Sequence, residues 1–301
     1  MLMLVDAPGL WYRAFYGLPS SMRGPDGTQI NAVRGFCDGL STLLRNRRPT
    51  GLICAIDANW RPDWRVKLLP SYKAHRVAAD GGEEEPEALG HQVEIILQLL
   101  ARLGIPTVGA EGFEADDVLA TLATRQAGPV EVVTGDRDLL QLVDDSHPIR
   151  VIYIGRGIAK AETFDDAAVR QRFGVGAAQY ADFAVLRGDT SDGLPGVKGI
   201  GDKTAAKLIT EHGDLAALQA AVATNEEAFT ARVRNGLTAA AEYLAVAPEV
   251  VRTVTNLPIP AITADLPTEP ADADGLNELT SRYGLAGPVT RLGQTLAGER
   301  T

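Results

Sequence analysis

Gly112-Phe113-Glu114-Ala115-Asp116-Asp117-Val118-Leu119-Ala120 places three carboxylates within four residues, followed by an apolar series at helical spacing, Val118, Leu119, Leu122 and Ala123. On a helix Glu114 and Asp117 share a face, while Asp116 lies about 100° round from Asp117. Two readings stand side by side. Acids in a first turn suit the helix macrodipole, and clustered acids suit divalent cations. The company this stretch keeps along the chain separates them.

Leu2–Val5 and Leu52–Ile56 are short apolar runs closing on Asp6 and Asp57, the pattern of buried strands that each deliver an aspartate. Between them Val33, Phe36, Leu40, Leu43 and Leu44 keep helical spacing, so Asn31–Asn46 reads as a crossover helix. A βαβ unit with acids at its strand ends puts them where open α/β sheets bind ligands. Val93–Leu103 reads as a helix, Ile105–Val108 as a third strand, and the opening stretch as a helix to about Thr124. Val130–Thr134 is a fourth strand, followed by Asp136 and Asp138 and a short helix through Leu139–Val143. Val151–Ile154 is a fifth, with Thr163–Phe164 extending an edge. From Asp165 onward helices are expected at Ala167–Phe173, Tyr180–Leu186, Lys203–Glu211, Leu215–Val222 and Asn225–Leu244. Beyond Asn256 the Pro-, Asp- and Ala-rich segment reads as loops with one short helix.

The 301 residues, 45% hydrophobic and 23% charged, suit a globular α/β protein. No apolar run approaches the ~20 residues of a membrane helix. Asp6 interrupts the N-terminus too early for a signal peptide. Cys37 and Cys54 form neither a metal nor a disulfide pattern, which fits a reducing cytoplasm. The net charge of −10 is unevenly spread: residues 1–76 hold eleven Lys and Arg against five Asp, a net of +6, leaving −16 for the remainder. A basic quarter beside acid clusters is compatible with phosphate and divalent metals together.

Acids thus arise at five stations: Asp6, Asp57, the Glu114/Asp116/Asp117 cluster, Asp136 with Asp138, and Asp189 with Asp192. Nine carboxylates in one cleft would raise one another's pKa. Divalent ions relieve this, and oxygen ligands without His or Cys indicate Mg²⁺ or Mn²⁺ rather than zinc. Two such ions about 4 Å apart suit in-line phosphoryl displacement. After the last acids, Gly193–Ala205 contains Gly199-Ile200-Gly201, a tight turn opening a helix at about Asp202 or Lys203. Backbone N–H groups there suit a phosphate, with Lys198, Lys203 and Lys207 adding charge. Such contacts are independent of base sequence.

The chain resembles the 5′ nucleases, meaning flap endonucleases and the N-terminal exonuclease domain of bacterial DNA polymerase I. The resemblance rests on Leu4-Val5-Asp6, Trp11–Phe15, Ala55-Ile56-Asp57, Ser71–Arg76, Gly112–Leu119, Thr134–Leu139 and Gly188–Ala205, in family order over roughly residues 2–245. It implies a PIN-like α/β core with a mostly parallel sheet, a helical arch and a helix–three-turn–helix element. It implies an α/β core over 1–165 with the arch at about 59–88, a helical DNA-binding region over 166–255, and a C-terminal extension over 256–301 packing back on the core. By motif, Asp6, Asp57, Glu114 and Asp116 match ligands of a first metal, and Asp138, Asp189 and Asp192 those of a second. Asp117 and Asp136 match positions that support the ligands or act through bound water. Tyr72, Lys73 and Arg76 match residues that meet the scissile phosphate and the 5′ end, and Arg13 extends that basic surface. Lys198, Gly199, Gly201, Lys203 and Thr204 match the duplex-binding hairpin, where Val197 and Ile200 match carbonyl ligands of K⁺. Tyr12, Phe15 and Tyr16 remain either core or a wedge at the duplex end.

Three departures stand out: Gly193 where the family commonly has Asn, Ala7-Pro8 after Asp6, and the acidic run Asp80–Glu85 within the arch. The implied activity is metal-dependent 5′-3′ exonuclease and 5′-flap endonuclease action on branched or 5′-ended duplex DNA, with RNA-primed strands also open. The alternatives are a PIN-type ribonuclease and a branched-DNA-binding protein without catalysis. With no polymerase region by residue 301, the expectation is a free-standing, monomeric bacterial enzyme, cytoplasmic, without membrane or obligate protein partner.

Overall fold

The computed structural model describes residues 1–78, 81–82, 86–224 and 229–298. β1 (Leu2–Asp6) is apolar on both faces because both are covered: Leu4 points into one core cluster, Met3 and Val5 into the other. α1 (Ala7–Gly17) starts at once, since Asp6 caps it by accepting from Gly9 N and Pro8 lies in the first turn, where no N–H is needed. α2 (Asn31–Arg47) buries the expected Val33, Phe36, Leu40, Leu43 and Leu44, and returns the chain to β2 (Gly51–Ala55). α3 (Asp63–Leu68) and α4 (Glu87–Leu103) precede β3 (Thr107–Val108), and α5 (Ala115–Arg125) precedes β4 (Val130–Thr134). β5 (Ile149–Tyr153) and β6 (Glu162–Phe164) complete a six-stranded sheet ordered β3-β2-β1-β4-β5-β6, in which only β6 runs antiparallel.

The chain steps outward from β1 to β2 and β3, then returns to β4 on the other side of β1. The β1/β4 boundary is therefore the switch point, with its crevice at the strands' carboxyl ends. Register puts Asp6 beside Ala55 and Val5 beside Val133, so the acids after β1, β2 and β4 leave the sheet at one level.

Helices follow from residue 166: α6 (Asp166–Phe173), α7 (Tyr180–Arg187), α8 (Asp202–His212), α9 (Leu215–Thr224), α10 (Ala231–Ala239) and α11 (Ala241–Val251). α12 (Ala273–Tyr283) and α13 (Ala286–Leu296) end the fold. No helix among the described residues is long and apolar enough to cross a membrane.

The structure corrects several expectations. The segment beyond Asn256 holds two eleven-residue helices, not one short one. α13 forms because Val289, Leu292 and Leu296 pack onto α2, where Thr295 and Arg291 also meet Ser41 and Asp38. The expected helix Asn225–Leu244 is two helices divided at Ala240, the second continuing to Val251 with Pro248 inside; its start, 225–228, lies outside the described residues. α1 was not among the expected helices. Of the arch, the described part shows α3 and a 3₁₀ turn at Ala74–Arg76, while 80 and 83–85 of the acidic run lie outside the described residues.

Candidate active site

The floor of the crevice is built by β1 and β4. Asp6 is 7% exposed; its Oδ1 accepts from Gly9 N (2.8 Å) and its Oδ2 from Thr134 Oγ1 (2.8 Å). Gly9 allows this closeness, for a Cβ there would lie 2.3 Å from Asp6 Oδ2. Thr134 Oγ1 in turn accepts from Asp136 N (2.9 Å), and Asp136 Oδ1 from Asp138 N (2.8 Å), so one relay of hydrogen bonds sets the spacing of three acids. Asp57 Oδ1 accepts from Ala115 N (2.7 Å), tying the end of β2 to the first turn of α5.

Glu114 caps α5 and is 3% exposed. Its Oε2 accepts from Arg65 Nη1 (2.5 Å) and the Tyr72 hydroxyl (2.8 Å), and its Oε1 accepts from Lys73 Nζ. Asp117 faces away from the crevice. It is fully buried, paired at both oxygens with Arg65 (2.8 Å each), and accepts from Val254 N (2.8 Å). Arg65 Nε donates to Val250 O (3.0 Å), so all three guanidinium nitrogens are used.

The last acids stand on the turn after α7. Asp189 Oδ1 accepts from Ser191 N (2.8 Å) and Oγ (2.5 Å), and Arg187 reaches its Oδ2 (3.3 Å). Arg76 donates to Ser191 O (2.7 Å) and Asp192 Oδ1 (3.0 Å), and Lys73 N to Asp192 O (2.9 Å). The segment 71–76 is thus docked on the 189–193 turn.

Asp6, Asp57, Glu114, Asp116, Asp136 and Asp189 line one cleft of about 390 Å³ together with Arg13, Lys73 and Arg76. Asp138 and Asp192 adjoin this group without lining it. Burial pushes Asp6 up to about 6, with Asp57 and Asp136 adding to the rise and the bonds from Gly9 and Thr134 opposing it. Burial, then neighbouring acids, lifts Asp116 and Asp138 well above the usual carboxylate range and raises Asp136. Asp138 Oδ1 is buried without a hydrogen-bond partner. An orphaned carboxylate oxygen among crowded, oxygen-only ligands fits hard divalent cations. Among the described residues no three His, Cys, Asp or Glu side chains are already gathered closely enough to hold an ion.

Residues 1–174 match the family described as 5′-3′ exonuclease, N-terminal resolvase-like domain, and 175–274 match 5′-3′ exonuclease, C-terminal SAM fold. A 5′-3′ exonuclease of Streptomyces coelicolor is 51% identical, with 98% of this chain and 99% of that protein covered. The chain belongs to the 5′-3′ exonuclease family. It is therefore a phosphodiester hydrolase. A 5′-3′ exonuclease of Mycobacterium tuberculosis is 47% identical over 98% of this chain and 97% of that one. The solved flap endonuclease of bacteriophage T5, in a complex with DNA and metal ions, shares the fold with a TM-score of 0.64 at 17% identity, covering 99% of this chain and 98% of that one. The fold is the PIN-like nuclease fold with a mostly parallel sheet and a helical C-terminal region.

The glycine-rich hairpin expected after Asp192 joins α7 to α8. Gly196 (φ 63) and Gly199 (φ 88) take left-handed backbone, and Gly201 caps α8 without a side-chain acceptor, leaving first-turn N–H groups open. Gly199, Gly201, Lys203, Thr204 and Lys207 line one groove there; Lys198 is exposed beside it. Ile200 N donates to Val197 O (3.0 Å). Two basic residues escaped sequence reading. Arg65 sat in an unremarkable helix, and only its burial, 3% exposed, marks it. Arg232 is carried by α10 to the hairpin groove from thirty-three residues beyond Gly199, which no local pattern could signal. Tyr72, expected at the DNA, is 6% exposed with its hydroxyl on Glu114.

Proposed function

We propose that this chain is a divalent-metal-dependent nuclease that removes 5′ ends exonucleolytically and cuts 5′ flaps endonucleolytically in replication or repair, including RNA-primed strands. The observation that carries this reading is the six-carboxylate cleft beside Lys73 and Arg76 at the sheet's switch point. Asp6, Asp57, Glu114 and Asp116 would hold one ion and Asp138, Asp189 and Asp192 another, with Asp136 supporting both. Mg²⁺ or Mn²⁺ suits an all-oxygen donor set. Bound there, the ions supply Lewis-acid polarisation of the phosphate and a nucleophile at neutral pH.

The protein's own part is to bind and orient. Arg76 and Lys73 engage the scissile phosphate as its charge grows, with Arg13 extending the positive rim. Arg13 is held at the cleft by Gly155 O (2.9 Å). The open N–H groups of the hairpin and Lys198, Lys203 and Thr204 take the duplex backbone without reading bases. K⁺ between the Val197 and Ile200 carbonyls would strengthen that grip. Division into a core to residue 165, a DNA-binding region to 255 and an extension beyond follows the same reading, as does action as a monomer in the cytoplasm. The relative crystallised with DNA supports a DNA substrate.

The test is cleavage of a 3′-labelled 5′-flap duplex with Mg²⁺, Mn²⁺ or EDTA, alongside Asp138→Asn. Metal-dependent cutting near the junction, reduced at least ~100-fold in the variant, is expected. Tight binding of the flap with no cutting in either metal would instead make the chain a DNA-structure binder.

A further inference from the structure

Glu114 presents its two oxygens to different kinds of partner. Oε2 lies between two groups that cannot leave: Arg65, buried and bound also to Asp117 and Val250 O, and the buried Tyr72 hydroxyl. Oε1 faces Lys73, whose ammonium rides on a flexible four-carbon stem at the cleft's wall. The main chain under Lys73 is fixed independently. Lys73 N donates to Asp192 O (2.9 Å), Ser71 Oγ to Gly193 O (2.8 Å), and Arg76 to Ser191 O (2.7 Å). The ammonium can therefore move without undocking the segment.

We propose that Arg65 and Tyr72 are positioning residues that hold Glu114 through Oε2, while Lys73 and a divalent ion exchange on Oε1, so that ion uptake releases Lys73 toward the substrate phosphate. This rests on the reading of Glu114 as a metal ligand. An ammonium and a divalent cation on one carboxylate oxygen repel each other in a water-poor site, so one must yield. The exchange makes the phosphate clamp available only when the site is loaded. It also assigns the Tyr72 hydroxyl to Glu114 rather than to DNA.

The test is Mn²⁺ binding to the DNA-free protein, followed by calorimetry and by electron paramagnetic resonance of the free ion. Lys73→Met is expected to bind Mn²⁺ about ten-fold tighter than wild type while losing cleavage, and Lys73→Arg to bind like wild type. Tyr72→Phe, which keeps the ring, is expected to bind about ten-fold more weakly. Circular dichroism establishes that each variant is folded. Folded Lys73→Met with wild-type or weaker affinity overturns the exchange, and unchanged affinity in Tyr72→Phe overturns the positioning role. A wild-type protein that binds no Mn²⁺ at all would sink the metal-site reading itself, a different failure.

Discussion

Gly193 sits in left-handed backbone (φ 72), and a Cβ on it would lie 1.9 Å from Ser71 O. Asn tolerates that φ, but no side chain fits against a backbone oxygen so near. Gly193 thus lets the Lys73 segment lie flat on the Asp189–Asp192 turn. Gly193→Asn is expected to keep the fold at a cost of about 1–3 kcal/mol and to lower cleavage at least ~ten-fold by shifting Lys73 and Arg76. Single-turnover rates with a urea melt would check this, and full activity would show that the docking is dispensable. At this scale the acids were legible, because an aspartate at a strand end or in a first turn announces itself locally. Arg65 was not, since nothing in Trp64-Arg65-Val66 says that the guanidinium turns inward; its burial depends on Asp117, fifty-two residues on.

α5 carries Glu114 and Asp116, and it is fastened along its length by the segment after α11. Thr121 Oγ1 donates to Val254 O (3.0 Å), Arg125 to Ile259 O (2.6 Å), and Val254 N donates to Asp117 (2.8 Å). Asp117 thereby joins α5, α3 and this segment through Arg65, a buried ion pair whose partners are fully bonded. Asparagine loses the charge that faces Arg65, which keeps Glu114 as its other buried partner, so Asp117→Asn is expected to destabilise by about 1–3 kcal/mol, read as a lower urea midpoint. A midpoint like that of wild type would mean that the pair is not what holds α5. The spacing of Val118, Leu119 and Leu122 revealed the helix itself, because amphipathic period is a local property. Where the sequence suggested one short helix the fold has two, α12 and α13, for the converse reason: their Gly, Asp and Pro content argues against helix, and packing against α4 and α2 outweighs it.

For the whole molecule, the sheet gathers acids drawn from residues 6 to 189 round one cleft, where partial burial and mutual repulsion raise Asp6, Asp116 and Asp136. Asp6 titrates at about 6 in the fold against 3.8 for an ordinary Asp. The folded state therefore holds the extra proton between these values, and stability falls as pH rises through 6. Asp116, Asp136 and Asp138 are raised in the same direction. The thermal midpoint of EDTA-treated protein is expected to rise as pH is lowered from about 7.5 to about 5.5. With Mg²⁺ present the trend should reverse, because protons and the ion compete for the same oxygens. Differential scanning calorimetry across that range decides it; parallel curves with and without Mg²⁺ would mean that the acids do not share a metal site.

The sequence by itself determined the βαβ opening, the acids at the strand ends, the helix under Val118–Leu122 and the glycine hairpin, because each rests on local period, capping or backbone freedom. Only the tertiary structure decided which of these acids share the cleft and which, like Asp117, turn away to hold the frame. It also placed Tyr72 under Glu114 and brought Arg65 and Arg232 to sites far from their own stretch of chain. Those outcomes depend on how elements distant in sequence fill one another's buried polar needs, and pairing of that kind leaves no trace in any single window of residues.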